Sequence, residues 1–222
     1  MPFITGKDAD TVKEMLKDLP RKVKMLYFTQ ELECQYCRET RQLLEELKEL
    51  GNGNLELEVY NFVNDKEQVE KYGIDKIPAT VLMAGDTDYG IRYYGIPSGY
   101  EFSSILEDIQ QVAAGSPQVS EETKKEIAKI DRPLRLQVFV TPTCPYCPGA
   151  VLMAHKLAML NENITADMVE ATEFPHLSMR YQVQGVPRTM IGEKHSIEGA
   201  LPEPHFVQQV MEAYQSMQQK QA

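Results

Sequence analysis

Apolar residues recur three and four apart between Asp8 and Leu19, so that Val12, Met15, Leu16 and Leu19 share one helical face before Pro20 ends it. Val23–Thr29 then reads as a strand. A turn from Glu31 to Cys37 leads into a second helix with Leu43, Leu44, Leu47 and Leu50 at helical spacing, broken by Gly51-Asn52-Gly53-Asn54. Leu55–Phe62 alternates like a strand with one wet face, and Asp65–Tyr72 is a short helix ended by Gly73. Ile77-Pro78 precedes a strand at Thr80–Ala84, a turn through Gly85–Gly90, a strand at Ile91–Tyr94 and a helix at Glu101–Ala114.

After Gly115-Ser116-Pro117, the one stretch that reads as a linker, the order begins again. Ser120 caps a helix reaching Ile130, with Glu121 and Glu122 in its first turn, where the helix dipole prefers acid. A strand at Leu134–Val140, a helix at Cys147–Leu160, a strand at Ile164–Glu170 and a short helix at Phe174–Tyr181 follow. Gly185-Val186-Pro187, strands at Thr189–Ile191 and His195–Glu198, and a helix from Pro204 to about Met217 complete the series. The pattern is a tandem duplication, 1–115 and 116–222. In each half the second strand follows a crossover helix, which makes it parallel to the first, and the later strands form an antiparallel hairpin. The expectation is α/β: two tandem units, each a four-stranded mixed sheet flanked by helices.

All four cysteines fall at the same point of the two units, in Cys34-Gln35-Tyr36-Cys37 and Cys144-Pro145-Tyr146-Cys147. A thiol at a helix N-terminus meets unpaired N–H groups and the positive end of the dipole, which favour its thiolate. Cys144, placed to cap the helix, therefore reads as a nucleophile, and Cys147 as the thiol that resolves the mixed disulfide it forms. Pro148 suits the first helical turn. Structural zinc sites space their pairs by ~12 to 20 residues, whereas Cys37 and Cys144 lie 107 positions apart, so no metal is expected. A structural staple closing so small a ring removes little loop entropy.

Composition narrows the classes further. The 222 residues are 42% hydrophobic and 25% charged, enough for proper cores. No apolar run reaches the ~20 residues of a membrane span, no leader is evident, and a cytoplasmic location with no membrane contact is expected. The formal net charge of −10 and the lack of a basic stripe argue against nucleic acid.

C-x-x-C at the start of the first crossover helix of both units, followed about forty-three positions later by Ile77-Pro78 and Val186-Pro187, is the thioredoxin arrangement. Two such units, each with Tyr before its second cysteine, resemble the glutaredoxin-like protein disulfide oxidoreductases of thermophilic archaea and bacteria. The resemblance implies that Pro78 and Pro187 are cis, and that Ile77 and Val186 offer their backbone to an extended substrate. It also implies protein disulfides as substrates, no cofactor, and a flavoprotein of the thioredoxin-reductase type as electron donor. Tyr36 and Tyr146 would shield the disulfides and offer apolar area to a substrate. A glutathione-dependent glutaredoxin and a redox-independent chaperone module are the alternatives.

The chain departs from thioredoxins proper. Glu33 and Thr143 stand where those have Trp, and Phe28 and Val138 where those carry a buried acid six positions before the first cysteine. Eleven Met exceed what thermophilic proteins tend to carry. Residues 1–114 hold 13 basic and 21 acidic side chains against 10 and 12 in 115–222, and Glu31, Glu33 and Glu39 surround Cys34, whereas no acid occurs from Arg135 to Lys156. Like charge disfavours a thiolate, so Cys144–Cys147 is expected to be the main, more oxidising pair. His155, His176, His195 and His205 lack ligand spacing and read as surface residues, and Arg188 as solvated rim.

Overall fold

The computed structural model describes residues 2–219. Its first half runs α1 (Gly6–Leu16), β1 (Val23–Thr29), α2 (Cys37–Leu50), β2 (Leu55–Asn61), α3 (Lys66–Lys71), β3 (Ala79–Ala84), β4 (Thr87–Tyr94) and α4 (Glu101–Ala114). The second half repeats the order as α5 (Glu121–Ile127), β5 (Leu134–Val140), α6 (Cys147–Leu160), β6 (Ile164–Glu170), α7 (Pro175–Arg180), β7 (Arg188–Ile191), β8 (His195–Glu198) and α8 (Glu203–Gln219). β4 begins earlier than its apolar run implies: the hairpin turns at Gly85 (φ +59°) and Asp86, and polar Thr87–Tyr89 stay in the ladder. α5 stops at Ile127, short of the expected Ile130.

The two four-stranded sheets are joined. Strand order is β2-β1-β3-β4-β6-β5-β7-β8, with β1–β2 and β5–β6 parallel, and β4 pairing in parallel with β6 from Ile91↔Ala166 to Tyr94↔Val169. β6 thereby becomes an inner strand, buried from Ala166 to Glu170, whereas its counterpart β2 is an edge strand and keeps the wet face its alternation implies. An inner strand has both faces covered and need not alternate.

Both faces of this sheet are packed. Met25 and Tyr27 of β1 point to the larger core, with α1, α2, α4, α5, α6 and α8, while Leu26 and Phe28 point to a smaller core under α3 and α7. α2 has a charged outer face, but α6, apart from Lys156, carries no charge and packs against α4, α5 and the sheet. His155 is consequently 0% exposed rather than at the surface. Its Nδ1 lies 2.5 Å from Asp108 Oδ2 on α4, the same oxygen that accepts the Tyr93 hydroxyl of β4. A second lock crosses the opposite face, where Arg135 meets Asp167 at 2.6 Å and Asp75 at 2.7 Å, and Lys76 lies 3.6 Å above the Tyr94 ring. Burial opposes ionisation of Asp75, but the Arg135 hydrogen bond and Lys76 outweigh it and bring the carboxyl down to about 2.

The loop between β4 and α4 presses on the second unit. Tyr100 N–H donates to the Pro142 carbonyl at 3.0 Å, and Gly99 (φ +61°) leaves room that a Cβ would fill, 2.1 Å from that oxygen. Gly99→Ala should cost about 1–3 kcal/mol, from strain at positive φ and the clash together. Urea unfolding would show this as a lower midpoint at unchanged slope. An unshifted midpoint would mean that this contact between the units carries no stability.

Candidate active site

β1 and β5 each end beneath a loop that delivers a cysteine pair to a helix N-terminus. Cys34–Cys37 and Cys144–Cys147 are both disulfides, with Cα atoms 5.5 Å apart in each. The second cysteine opens the helix and is buried, Cys37 at 3% and Cys147 at 0% exposed. The first stays nearer the surface: Cys34 is partly exposed and Cys144 retains 7%. The first cysteine of each pair is thus the more accessible sulfur, and the second lies shielded beneath it. The cap positions belong to Tyr36 and Tyr146, so Cys144 precedes the cap instead of occupying it. Pro148 lies in the first turn of α6 and removes no bonded N–H there.

The prolines stand at the same end of the sheet. Pro78 and Pro187 are buried, follow cis peptide bonds from half-buried Ile77 and Val186, and lead into β3 and β7. Ala79 pairs with Phe28 and Arg188 with Phe139, so each cis-proline sits beside the strand end from which a cysteine loop departs. Tyr36 is half-buried and Tyr146 is 71% exposed, and Leu32 (78%), Val63 (57%) and Met179 (73%) add exposed apolar area. Arg188 is tied to Glu198 across the β7–β8 pair at 2.5 Å, not free at a solvated rim. An apolar-lined cleft of about 1040 Å³ between α1 and α4 reaches Gly99 and Tyr100, but neither cysteine pair lines it.

Register corrects the assignment of the buried-acid position. Thr80 pairs with Tyr27 and Thr189 with Val138, so Tyr27, not Phe28, is the counterpart of Val138. The first cysteine loop is one residue longer, and Glu33 in the left-handed region (φ +59°) stands just before Cys34. Tyr27 donates its hydroxyl to the Cys37 carbonyl at 2.5 Å, and burial pushes it up to about 12.

Carboxyl groups absent from the local sequence arrive from the other unit. Asp108 of α4 meets His155 of α6, and Tyr100 before α4 meets Pro142 before α6, so the two helices run side by side in the same direction. Glu101 lies seven residues before Asp108 on the same helical face, which sets it beside the first turn of α6 where Cys147 begins. It is 1% exposed, Ser104 donates to its Oε2 at 2.6 Å, and burial raises it to about 7. Glu101 is thus a buried carboxyl brought to this end of α6 by the other unit, where the local sequence has no acid from Arg135 to Lys156. Its signal lay in α4, where Glu101 and Asp108 stand seven residues apart on one helical face. His176 and His205 are exposed and His195 half-exposed. Among the described residues no group of three His, Cys, Asp or Glu could hold a metal ion, and no helix is long and apolar enough to cross a membrane.

Comparison with known proteins bears on both units. The family model for a thioredoxin domain matches residues 134–212, and one for a domain of unknown function matches residues 9–95. The F subunit of alkyl hydroperoxide reductase of Staphylococcus epidermidis is 29% identical over 129 residues, 58% of this chain and 24% of that protein. An NADH dehydrogenase of Bacillus subtilis is 26% identical over 125 residues, 56% of this chain and 25% of that one. The matched stretch is about a quarter of the length of these curated relatives. Among solved structures, a protein disulfide oxidoreductase from Aeropyrum pernix superposes with a TM-score of 0.88 at 25% identity, covering 96% of this chain and 94% of that one. The NTD_N/C domain of the alkylhydroperoxide reductase AhpF from Enterococcus faecalis gives 0.83 at 25% identity, covering 91% and 97%. Taken with the two C-x-x-C disulfides and the paired four-stranded sheets, these likenesses show that the chain has the thioredoxin fold and is similar to protein disulfide oxidoreductases.

Proposed function

We propose that the chain exchanges disulfides with protein substrates through both dithiols, Cys34–Cys37 and Cys144–Cys147, with residues 1–115 and 116–222 as its two units. The observation that carries this reading is that each disulfide sits at a helix N-terminus beside a cis-proline, its first cysteine outermost. Reduced Cys144 attacks one sulfur of a substrate disulfide. A Cys144–substrate bond forms, the substrate bond breaks, and the leaving sulfur departs as a thiolate that takes a proton. Cys147 gives its proton to Glu101 and attacks Cys144 Sγ, which releases the second substrate thiolate and leaves the enzyme oxidised. Ile77 and Val186 present backbone to the substrate chain, while Tyr36 and Tyr146, with exposed Leu32, Val63 and Met179, supply the apolar contacts that a folded or unfolded protein partner needs. One substrate disulfide reduced consumes two electrons.

Those electrons come from a reductase. A flavoprotein of the thioredoxin-reductase kind, drawing on a nicotinamide, fits the names of the curated relatives, a component of a hydroperoxide reductase and an NADH dehydrogenase. The cytoplasm, where thiols are kept reduced, is the compartment in which two such pairs would turn over. The test of the dithiol route is Cys147→Ser on its own. It should halt turnover and leave a stable mixed disulfide between Cys144 and substrate, visible as an added mass that dithiothreitol removes. Continued turnover with glutathione in that variant would replace this reading by a monothiol, glutaredoxin-like one.

A further inference from the structure

The backbone behind the two cis-prolines is alike, but its surroundings differ. In each unit the glycine that follows the hairpin donates its N–H to the proline carbonyl, Gly95 to Pro78 at 3.0 Å and Gly199 to Pro187 at 2.8 Å. A Cβ on Gly199 would meet nothing within 4 Å. One on Gly95 (φ +94°) would lie 2.6 Å from Glu170 Cβ and 2.8 Å from Glu173 Oε1. Glu173 follows β6, in the second half of the chain, and reaches across the β4–β6 junction to accept the Ile96 N–H at 2.7 Å. Its carboxyl is therefore packed behind the first unit's cis-proline, and the open space at Gly199 shows that the second unit has no equivalent.

The same group lies within electrostatic reach of the first dithiol's support. Tyr27, whose hydroxyl holds the Cys37 carbonyl, is raised mainly by burial, and Glu173 adds to that upward push. The titratable and charged groups around this spot are Glu170 at the end of β6, Tyr27 on β1 and Arg41 on α2. Burial, assisted by Glu170, holds the Glu173 carboxyl up at about 7 against the Ile96 N–H, so its charge appears and disappears near neutral pH.

We propose that Glu173, carried by the second unit, sets the proton affinity of the Cys34–Cys37 thiols, so that the redox balance of the first site depends on its neighbour. The proposal rests on Cys34–Cys37 being redox-active. Reduction by glutathione breaks the Cys34–Cys37 bond, forms two protein thiols, and joins two glutathione sulfurs into one disulfide. When a thiol of the reduced pair ionises, an ionised Glu173 opposes it and pushes the balance back to the disulfide. Below the titration of Glu173 that opposition vanishes. Glu173 is a positioning residue in this scheme, acting on the thiols through their electrostatic surroundings.

The experiment compares full-length Cys144→Ser/Cys147→Ser with and without Glu173→Gln, in glutathione buffers at about pH 8 and about pH 5.5. Gln keeps an oxygen for the Ile96 N–H. At about pH 8 the variant should shift toward the dithiol by roughly three- to tenfold in the equilibrium constant, the tenfold end corresponding to one unit of thiol pKa. At about pH 5.5 the two proteins should coincide. In a Cys34→Ser/Cys37→Ser background, Glu173→Gln should leave the second site unmoved at both pH values. No shift at about pH 8 overturns the proposal, and so does an equal shift at both pH values, which a packing change would give. An equal shift in the second site also overturns it. A Cys34–Cys37 pair that never exchanges with glutathione overturns the dithiol reading of that site, and the proposal with it.

Discussion

Serine at both Cys144 and Cys147 should cut insulin disulfide reduction, with dithiothreitol as donor, on the order of a hundredfold or more, because loss of a reacting nucleophile removes the covalent route altogether. Serine at both Cys34 and Cys37 should leave most of the activity. The asymmetry follows from charge around the helix starts. Glu31, Glu33 and Glu39 stand in the first loop and helix, with Glu173 behind them, whereas the second loop and helix carry no acid of their own, and Glu101 beside α6 is a carboxyl that burial raises to about 7. Fewer negative charges leave the Cys144 thiolate better stabilised and its disulfide the stronger oxidant. Equal loss in the two double variants would mean that electrons pass through both sites in series. Activity surviving the loss of all four cysteines would return the chain to the binding or chaperone reading.

Glu101→Gln, made in the Cys34→Ser/Cys37→Ser background, should slow resolution of the mixed disulfide roughly a hundredfold at pH 7, the lower end of what a positioned proton acceptor contributes. The carboxylate is the accepting form, so in the parent the rate climbs as pH rises through about 7. Gln lacks that limb, and its rate should approach the parent's only at alkaline pH, where Cys147 ionises unaided. Stability should move the other way. Glu101 holds its proton to about 7 when folded, against 4.5 for an ordinary glutamate, so the stability linked to that proton is complete below 4.5 and lost as pH rises through 7. The Gln variant should lack this fall. Stopped-flow decay of the mixed disulfide against pH reads the first effect and urea midpoints against pH the second. Superimposable rate profiles for parent and variant would remove Glu101 from the mechanism.

Much of the molecule was written locally. Every expected helix and strand occurs, because three- and four-residue apolar spacing and two-residue alternation are properties of short windows, and Gly73 and Gly115 close helices where they stand, whereas α1 ends at Leu16, before Leu19 and Pro20. Among the boundaries that moved, β4 gained polar Thr87 and Asp88, since backbone pairing owes nothing to side-chain polarity, while α5 stopped at Ile127, short of Ile130. The cysteine pairs and their prolines were equally legible: residue type and spacing alone place a thiol at a helix start and a proline forty-odd positions on, at the head of the next strand.

What surrounds those cysteines was not. Pairing of β4 with β6 is a contact between residues some seventy-five apart, and no local periodicity encodes it, yet it turns β6 into an inner strand and carries Glu173 behind the first site. His155 was misplaced because helical spacing tells which residues share a face, not how many faces are covered; α6 is buried except along the strip of Pro148, Gly149, Leu152 and Lys156 and at its C-terminal end, and His155 needed Asp108 from the other unit to be stable there. A one-residue difference between the cysteine loops moved the buried-acid position from Phe28 to Tyr27, a shift that strand register reveals and counting from the cysteine hides. Near neighbours along the chain were enough to specify the elements, their duplication and the sulfur chemistry. The carboxyls that stand near that chemistry, buried Glu101 and half-buried Glu173, came only with folding, because each unit receives its own from the other.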